Sequence, residues 1–274
     1  MLNSITNFSN DPVAVEKTLK LLQSTAQIAA NIGYTSPDEA TLWTVAKNQF
    51  ALARRFFRLV KWIDCFNNGY AQYELYQHPR VSSEKAATGG NATSAQNGLH
   101  FLLVVSKWSL LGAYLFVEMF TIVDAVAGTW RPWAVATQTE ALKLWFYALA
   151  VSVMLDLYEI LVVYSSDSSA PVPATTPSQP ASTSKGSPIK EDEKQAMRST
   201  KSPPNAAPAA GTDSFAFNAA KRRSTYRQLV IDGCDLLIPG AAVGWLALDP
   251  ITVGVAGSIS ALVGGSEAWA RVNG

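Results

Sequence analysis

The most informative stretch of this chain is residues 42–66, with the sequence LWTVAKNQFALARRFFRLVKWIDCF. The basic residues Lys47, Arg54, Arg58 and Lys61 share one arc of a helical wheel drawn at about 100° per residue, and Arg55 lies at its border. The opposite arc is apolar and holds Leu42, Val45, Leu52, Phe56, Leu59, Val60 and Ile63, with Phe50 and Phe57 at its edge. Between Lys47 and Lys61 no acidic residue balances the cations. This pattern is typical of a helix that lies in the headgroup plane of a membrane.

We therefore predict that this segment binds an anionic phospholipid membrane. Each cation near an anionic leaflet adds about 1 kcal/mol, and each well-buried Phe, Leu or Ile adds about 1.5–3 kcal/mol, so the apolar contribution is the larger. A wedge inserted into one leaflet would expand that leaflet and favour a curved, tubular membrane. The predicted membrane-binding residues are Lys47, Leu52, Arg54, Arg55, Phe56, Phe57, Arg58, Val60, Lys61 and Ile63. The alternative is a core helix of an α-helical bundle with a solvated basic face.

Helix signals dominate the rest of residues 1–79, which we interpret as an N-terminal amphipathic helical region. Pro12 suits a first helical position, and an apolar repeat follows it until Gly33. Ser36 and Glu39 then form the pattern of a capping box, with Pro37 at the first helical position. Residues 80–98 have the composition of an exposed loop. The apolar repeat of the first helix consists of Val15, Leu19, Leu22, Ala26 and Ala29.

The second half of the chain alternates apolar and polar segments. Residues 99–164 predict an apolar helical hairpin with a turn at 128–132. Residues 165–220 are rich in Pro, Ser and Ala and predict a disordered linker. Residues 221–274 predict a basic helix followed by a membrane segment, since 236–266 contain a single charge, Asp249, although a proline at 250 should split that run. The fold class is therefore all-α and membrane-associated.

Composition argues against several classes of function. Of the 274 residues, 48% are hydrophobic and only 16% are charged, against roughly a quarter charged in soluble domains. A net charge of +1 is unlike a nucleic-acid binder. With two histidines and two separated cysteines, Cys65 and Cys234, we expect no metal, no cofactor and no enzyme activity. Asp156 and Glu159 have the spacing of a carboxylate pair, but we interpret them as charges at a bundle interface or membrane boundary.

Three parts of the sequence resemble the peroxin-eleven family of peroxisomal membrane proteins. They are LARRFFRLVK at residues 52–61, SKWSLLGAYLFVE at residues 106–118, and the glycine-rich apolar segment near the C-terminus. The resemblance covers nearly the whole chain except the linker, whose Pro/Ser/Ala composition is similar to that of fungal members. Its motifs are degenerate, so their order along the chain is more specific than any one of them.

The resemblance implies an integral peroxisomal membrane protein that remodels and elongates the organelle. It also implies self-association and help in recruiting or activating a dynamin-type GTPase and fission adaptors. The family's membrane-active helix falls on residues 42–66, with Arg54, Arg55, Arg58 and Lys61 as lipid-facing cations. The inserted residues would be Phe56, Phe57, Val60 and Ile63.

Two other interpretations stay open at the level of sequence. In a pore-forming channel or metabolite carrier, intramembrane charges would line an aqueous path. In a protein scaffold, the helices and tail would mainly bind other proteins. The number of spanning helices is also open, because the apolar segments carry charges at Lys107, Glu118, Asp124, Asp156 and Glu159.

Overall fold

The computed structural model describes residues 2–33, 36–77, 94–163 and 210–274, and every regular element within these ranges is helical. The all-α class predicted from the sequence is confirmed. A π-helical turn, Glu159–Val163, extends the seventh helix. The helices are α1 (Leu2–Asn10), α2 (Pro12–Asn31), α3 (Pro37–Arg58), α4 (Lys61–Gln77), α5 (Ser94–Phe120), α6 (Ile122–Ala127), α7 (Pro132–Tyr158), α8 (Ala210–Val243) and α9 (Pro250–Asn273).

The long helices lie side by side in the order α3, α2, α9, α8, α7, α5 and α4. Helix α2 runs antiparallel to α9, because Asp11 before α2 binds Arg271 at 2.8 Å and Gln27 near the end of α2 donates to the carbonyl of Pro250 at 2.8 Å. The N-terminal helices are therefore built into the same assembly as the C-terminal ones.

Three helices are long and apolar enough to cross a membrane, namely Gly98–Phe120, Pro132–Leu161 and Pro250–Asn273. The split expected at the proline is present: α8 ends at Val243, Gly244 takes a left-handed φ of 83°, and α9 begins at Pro250. Asp249 caps α9 by accepting from the Thr252 N–H at 2.9 Å. The C-terminal candidate span is therefore α9 alone, whereas residues 236–243 belong to the end of α8.

The hairpin turn predicted at residues 128–132 joins α5 and α6 to α7. Gly128 takes a left-handed φ of 65°, and the fully buried carboxylate of Asp124 holds the turn together. It accepts from the Thr129 hydroxyl at 2.8 Å and from Arg131 Nε at 2.9 Å. The hydrogen bonds from Arg131 and Thr129 lower the pKa of Asp124 to about 2. This acid, which looked like a charge within an apolar segment, is part of the turn.

The segment at residues 42–66, predicted as one helix, is two helices in the structure. Helix α3 ends at Arg58 and α4 begins at Lys61. The break allows the two helices to pack on different neighbours: α3 lies along α2, whereas α4 lies along α5, with the ring of Trp62 5.4 Å from that of Phe116. The prediction of a single helix was wrong, because a helical wheel does not record which neighbour each turn will meet.

The predicted loop and the predicted linker are both shorter in the structure, because a helix begins inside each of them. Helix α5 begins at Ser94, within the predicted loop at 80–98, and α8 begins at Ala210, within the predicted linker at 165–220. No proline follows Pro208 until Pro239, so nothing in the backbone chemistry prevents a helix from starting at residue 210. The rest of the loop and linker, residues 78–93 and 164–209, lies outside the described residues.

A buried lysine joins α2, α8 and α9. Lys20 is 2% exposed, and its ammonium donates to the carboxylate of Asp235 on α8, with Oδ2 at 2.6 Å, and to the Ser260 hydroxyl on α9 at 2.6 Å. Helices α2 and α9 pack closely enough for Lys20 to contact Ser260, since a Cβ added at Gly257 of α9 would lie 2.4 Å from the Ser24 hydroxyl of α2. Burial lowers the pKa of Lys20 to about 8, although Asp235 acts in the opposite direction.

We predict that Lys20→Met destabilises the protein by about 3–5 kcal/mol, because it leaves the Asp235 carboxylate buried without its cation. The double variant Lys20→Met/Asp235→Leu should recover most of that loss, since no charge is then left unpaired. Thermal unfolding of the full chain in detergent, followed by circular dichroism, measures both. A double variant as unstable as the single one would contradict this role for the pair.

Candidate membrane-active site

Helices α3 and α4 present large apolar side chains to the outside, one group at the start of α3 and a second group around its junction with α4. Phe56 is 54% exposed and Val60 is 63% exposed. Soluble monomers rarely expose apolar patches of this extent, and such patches mark membrane or protein contacts. We call the two groups together the α3–α4 apolar surface, and its members are Leu42, Trp43, Val45, Phe56, Phe57, Val60, Ile63 and Phe66, of which Phe66 also packs against Gly112 of α5.

Three further residues of the predicted membrane-binding set lie at the margin of this surface. Leu52 is half-buried, and so are Lys47 and Lys61. The structure therefore brings together on one face four of the predicted membrane-binding residues, Phe56, Phe57, Val60 and Ile63, and places these three beside them.

The three arginines predicted to face lipid point into the helical assembly instead. Arg54 is 8% exposed, and its Nε and Nη2 donate to Glu16 Oε1 on α2 at 3.1 and 3.0 Å. Its Nη1 donates to Gln23 Oε1 at 2.7 Å. The expectation that the cations meet lipid phosphates is therefore not met for Arg54, because acids on neighbouring helices bind the basic face.

Arg55 and Arg58 join α3 to α5 in the same way. Both guanidinium groups approach Glu118, with Arg55 Nε and Arg58 Nη2 each 3.5 Å from one of its carboxylate oxygens. The Arg55 guanidinium lies over the ring of Trp130 at 5.6 Å, and that of Arg58 lies over the ring of Tyr114 at 6.0 Å. These contacts fix the rotation of α3, and its apolar side is held outward as a consequence.

Helix α2 also buries polar side chains, beside Ala14 and Ala26. Its buried positions include Glu16, Lys20 and Ser24, whereas Leu22, assigned to its apolar face from the sequence, is 44% exposed. The signal was present in the sequence, because these three polar residues recur every four positions and must share one helical face. Only the apolar repeat of this helix was interpreted from the sequence, and its polar row was therefore missed.

Charges also lie where the apolar helices α5 and α7 meet α8. Lys107 is 3.7 Å from Asp232 on α8, which also accepts from the Ser152 hydroxyl. Asp156 is buried beside them. One helical turn further, Glu159 contacts His100 at 3.3 Å. The charges that made the spanning segments ambiguous therefore face neighbouring helices.

Charged side chains are buried between the helices, whereas large apolar side chains are exposed outside them. This distribution is typical of a membrane protein. Comparison with known families agrees. The model of the family Peroxisomal biogenesis factor 11 (PEX11) matches residues 2–269. The chain belongs to the PEX11 family. No curated protein and no solved structure matches it significantly.

Membership confirms the family resemblance and makes this a peroxisomal membrane protein involved in peroxisome biogenesis and proliferation. The PEX11 family is a family of biogenesis factors and not a known enzyme family. Within the described ranges, no group of three or more His, Cys, Asp or Glu side chains is placed to hold a metal ion. The features left to explain function are the α3–α4 apolar surface, the three apolar helices and the charges between helices.

The ion pair between Glu16 and Arg54 predicts how stability depends on pH. Burial would raise the pKa of Glu16, but Arg54, Lys17 and Arg58 outweigh burial and lower it to about 2. A carboxylate whose pKa is lower in the folded state stabilises the fold above its unfolded pKa, near 4.5. That contribution, about 3 kcal/mol, is lost as the pH falls from about 4.5 to 2.

We therefore expect the stability difference between the wild type and Glu16→Gln to be largest above pH 5 and to shrink towards zero near pH 2. Chemical unfolding of both proteins in detergent across this range measures the difference. Asp64→Asn, which changes an exposed carboxylate on α4, serves as the control and should show no comparable trend. A difference that does not vary with pH would contradict the assignment.

Proposed function

We propose that this PEX11-family protein remodels and elongates the peroxisomal membrane by inserting its α3–α4 apolar surface into one leaflet, and so promotes peroxisome proliferation and fission. The observation that carries the proposal is the outward exposure of large apolar side chains on two consecutive helices, at Phe56, Val60 and Ile63 in particular. In water this exposure is unfavourable. In the acyl boundary of a bilayer the same side chains would leave water, at about 25 cal/mol per Å² of apolar area.

The inward arginines support this mechanism as positioning residues. Because Arg54, Arg55 and Arg58 are bound to Glu16 and Glu118, α3 cannot rotate without breaking buried ion pairs. The apolar side of the helix is thus held outward before it meets lipid. The cations available at the rim are Lys47 and Lys61, which we propose contact anionic headgroups.

Anchoring and insertion together would bend the membrane. The three apolar helices Gly98–Phe120, Pro132–Leu161 and Pro250–Asn273 provide candidate anchors. A wedge confined to one leaflet expands that leaflet relative to the other. Many copies aligned along a tubule would add their effects, so we propose that the protein acts as a homo-oligomer and delivers the elongated membrane to a dynamin-type GTPase and its fission adaptors.

The test is a double substitution, Phe56→Asp/Val60→Asp, in the full chain. Both side chains point outward, so the fold should be retained, while two carboxylates at the insertion face should prevent entry into the leaflet. We expect tubulation of anionic vesicles to fall at least tenfold and cells carrying the variant to contain fewer, enlarged peroxisomes. Electron microscopy of vesicles and counting of labelled organelles measure these effects.

The matched control is Leu2→Asp/Ile5→Asp, which places two carboxylates at exposed apolar positions of α1, away from the α3–α4 apolar surface. This variant should tubulate vesicles normally. If the Phe56/Val60 variant folds and still tubulates like the wild type, the insertion mechanism is wrong, and the scaffold interpretation gains support.

A channel or metabolite carrier is the second candidate, and one observation favours it. Charged side chains lie where the apolar helices α5 and α7 meet α8, namely Lys107 near Asp232 and the buried Asp156. Intramembrane charges of this kind often line transport pathways. Reconstitution in planar bilayers separates the two functions: a channel gives a conductance that Asp156→Asn alters and Phe56→Asp/Val60→Asp does not, whereas a pure remodelling protein gives none.

A further inference from the structure

Helix α8 carries a short run of cations that has no acidic neighbours in the sequence. No Asp or Glu occurs from position 214 to position 231. Arg223 and Arg227 are exposed and form no ion pair or hydrogen bond with the described part of the chain. Most other described arginines are bound to an acid, namely Arg54, Arg55, Arg58, Arg131 and Arg271. Arg223 and Arg227 are therefore available to a ligand from outside.

These arginines border an open groove of about 520 Å³ between α8 and α9. Its volume lies within the range of about 300–1,000 Å³ that is common for ligand sites. No described acidic side chain lines it. Glu267 of α9 lines a second groove that Arg227 also borders, but it forms no ion pair with Arg227 in the described structure. The groove between α8 and α9 is lined by Arg222, Arg223, Tyr226, Arg227, Val230 and Val263.

The contacts between α8 and α9 fix how the two helices are aligned. Asp235 of α8 and Ser260 of α9 both accept from the Lys20 ammonium. Three residues further along α8, Ile238 lies beside Gly257, since a Cβ added at that glycine would be 3.8 Å from the Ile238 side chain. The helices are therefore antiparallel, and earlier residues of α8 lie beside later residues of α9.

This alignment places the cations at the end of a candidate membrane span. Continued along both helices at 1.5 Å per residue, it puts Arg223 beside the last turn of α9 and Tyr226 level with Trp269. Tyr226 is 47% exposed and Trp269 is 42% exposed, and such aromatic side chains favour the boundary between headgroups and acyl chains. Val230 and Val263 lie further from that end of the helices. The groove thus runs from the headgroup level towards the acyl region.

The apolar half of the groove continues along the outer face of α9. Val255, Ile259 and Val263 are four residues apart and share that face, and Val255 and Ile259 are exposed. A free phosphate would use only the arginines, and an acidic peptide would leave this apolar track uncovered. A zwitterionic phospholipid would cover the track but would bring a cation towards the arginines. An anionic phospholipid matches both halves.

We propose that the groove between α8 and α9 binds one anionic phospholipid molecule, with its phosphate at Arg223 and Arg227 and an acyl chain along Val230, Val263 and Ile259. The proposal requires that α9 lies in a membrane. It does not require insertion of the α3–α4 apolar surface, because that surface is on other helices. A lipid bound in this groove would hold the end of the α8–α9 pair at the headgroup level of an anionic leaflet.

The test uses the full chain in a nonionic detergent at low ionic strength. Native mass spectrometry follows the binding of phosphatidylglycerol or phosphatidylcholine with identical acyl chains, and we expect the first phosphatidylglycerol to bind at least tenfold more tightly. Each cation near an anionic headgroup contributes about a fivefold factor. Arg223→Gln and Arg227→Gln should therefore each weaken phosphatidylglycerol binding about fivefold, and the double variant about 25-fold. Phosphatidylcholine binding should not change.

Lys143→Gln is the matched control, because it removes a partly exposed cation from α7, where Lys143 pairs with Glu140. It should bind phosphatidylglycerol like the wild type. Val230→Asp tests the apolar half of the groove and should weaken phosphatidylglycerol binding at least tenfold. Equal affinity of the wild type for the two lipids would overturn the proposal, and so would unchanged phosphatidylglycerol binding in the double arginine variant or in Val230→Asp.

Soluble competitors test the choice of ligand with the wild type alone, so this part does not depend on how the variants fold. Neither inorganic phosphate nor a hexaglutamate peptide should displace phosphatidylglycerol at equal concentration, because neither covers the apolar track. Displacement by phosphate would make the groove a site for a free anion. Displacement by the peptide would make it a contact for an acidic protein segment. Either result would overturn the assignment to a lipid.

Discussion

The structure depends on the pairing of charges between helices in the interior of the assembly. Arg54 binds Glu16, Lys20 binds Asp235 and Ser260, and Arg55 and Arg58 approach Glu118. These contacts connect α3 to α2, α2 to α8 and α9, and α3 to α5. An ion pair taken out of water contributes little net stability against an apolar alternative, but breaking one is strongly unfavourable. The pairs therefore act mainly as specifiers of how each helix is rotated.

Where polar side chains face inward, several large apolar side chains of the same helices face outward, although apolar residues such as Ala26, Tyr114 and Leu115 are also buried. On α2 the burial of Glu16, Lys20 and Ser24 leaves Leu22 exposed, and on α3 the burial of Arg54 leaves Phe56 exposed. The same holds on the apolar helices, where Leu102 of α5 and Met154 of α7 are about three-fifths exposed, at 59% and 60%. In water this exposure of large apolar side chains is unfavourable, whereas in a bilayer hydrocarbon would solvate the apolar faces and no water would compete for the polar rows.

Much of this architecture could be predicted from the sequence, and the part that could not has a single cause. Helical periodicity, the capping box at Ser36, the turn near Gly128 and the split before Pro250 are local signals, and the structure contains each of them. The direction in which a helix faces is not local. A wheel shows that Arg54 and Phe56 lie on different sides of α3, but whether the cation or the ring faces the neighbouring helices depends on Glu16, 38 residues away in sequence. An apolar face points inward in a soluble bundle and outward in a membrane one, so an amphipathic pattern alone cannot assign it.

The inward orientation of the polar side chains also affects how the insertion of α3 and α4 could bend a membrane. A helix that folds onto a membrane from solution loses conformational freedom on binding, and the interface must offset that loss. Helices α3 and α4 are already formed, with Arg54, Arg55 and Arg58 fixing one side and Trp62 packed against Phe116 of α5. Because α5 is one of the three helices long and apolar enough to cross a membrane, the apolar surface is attached to a candidate anchor and held at a set orientation to it. In the insertion that we propose, the free energy of burying Phe56 and Val60 in lipid would be available for deforming the leaflet instead of ordering the helix, which is the condition a curvature-generating protein has to meet.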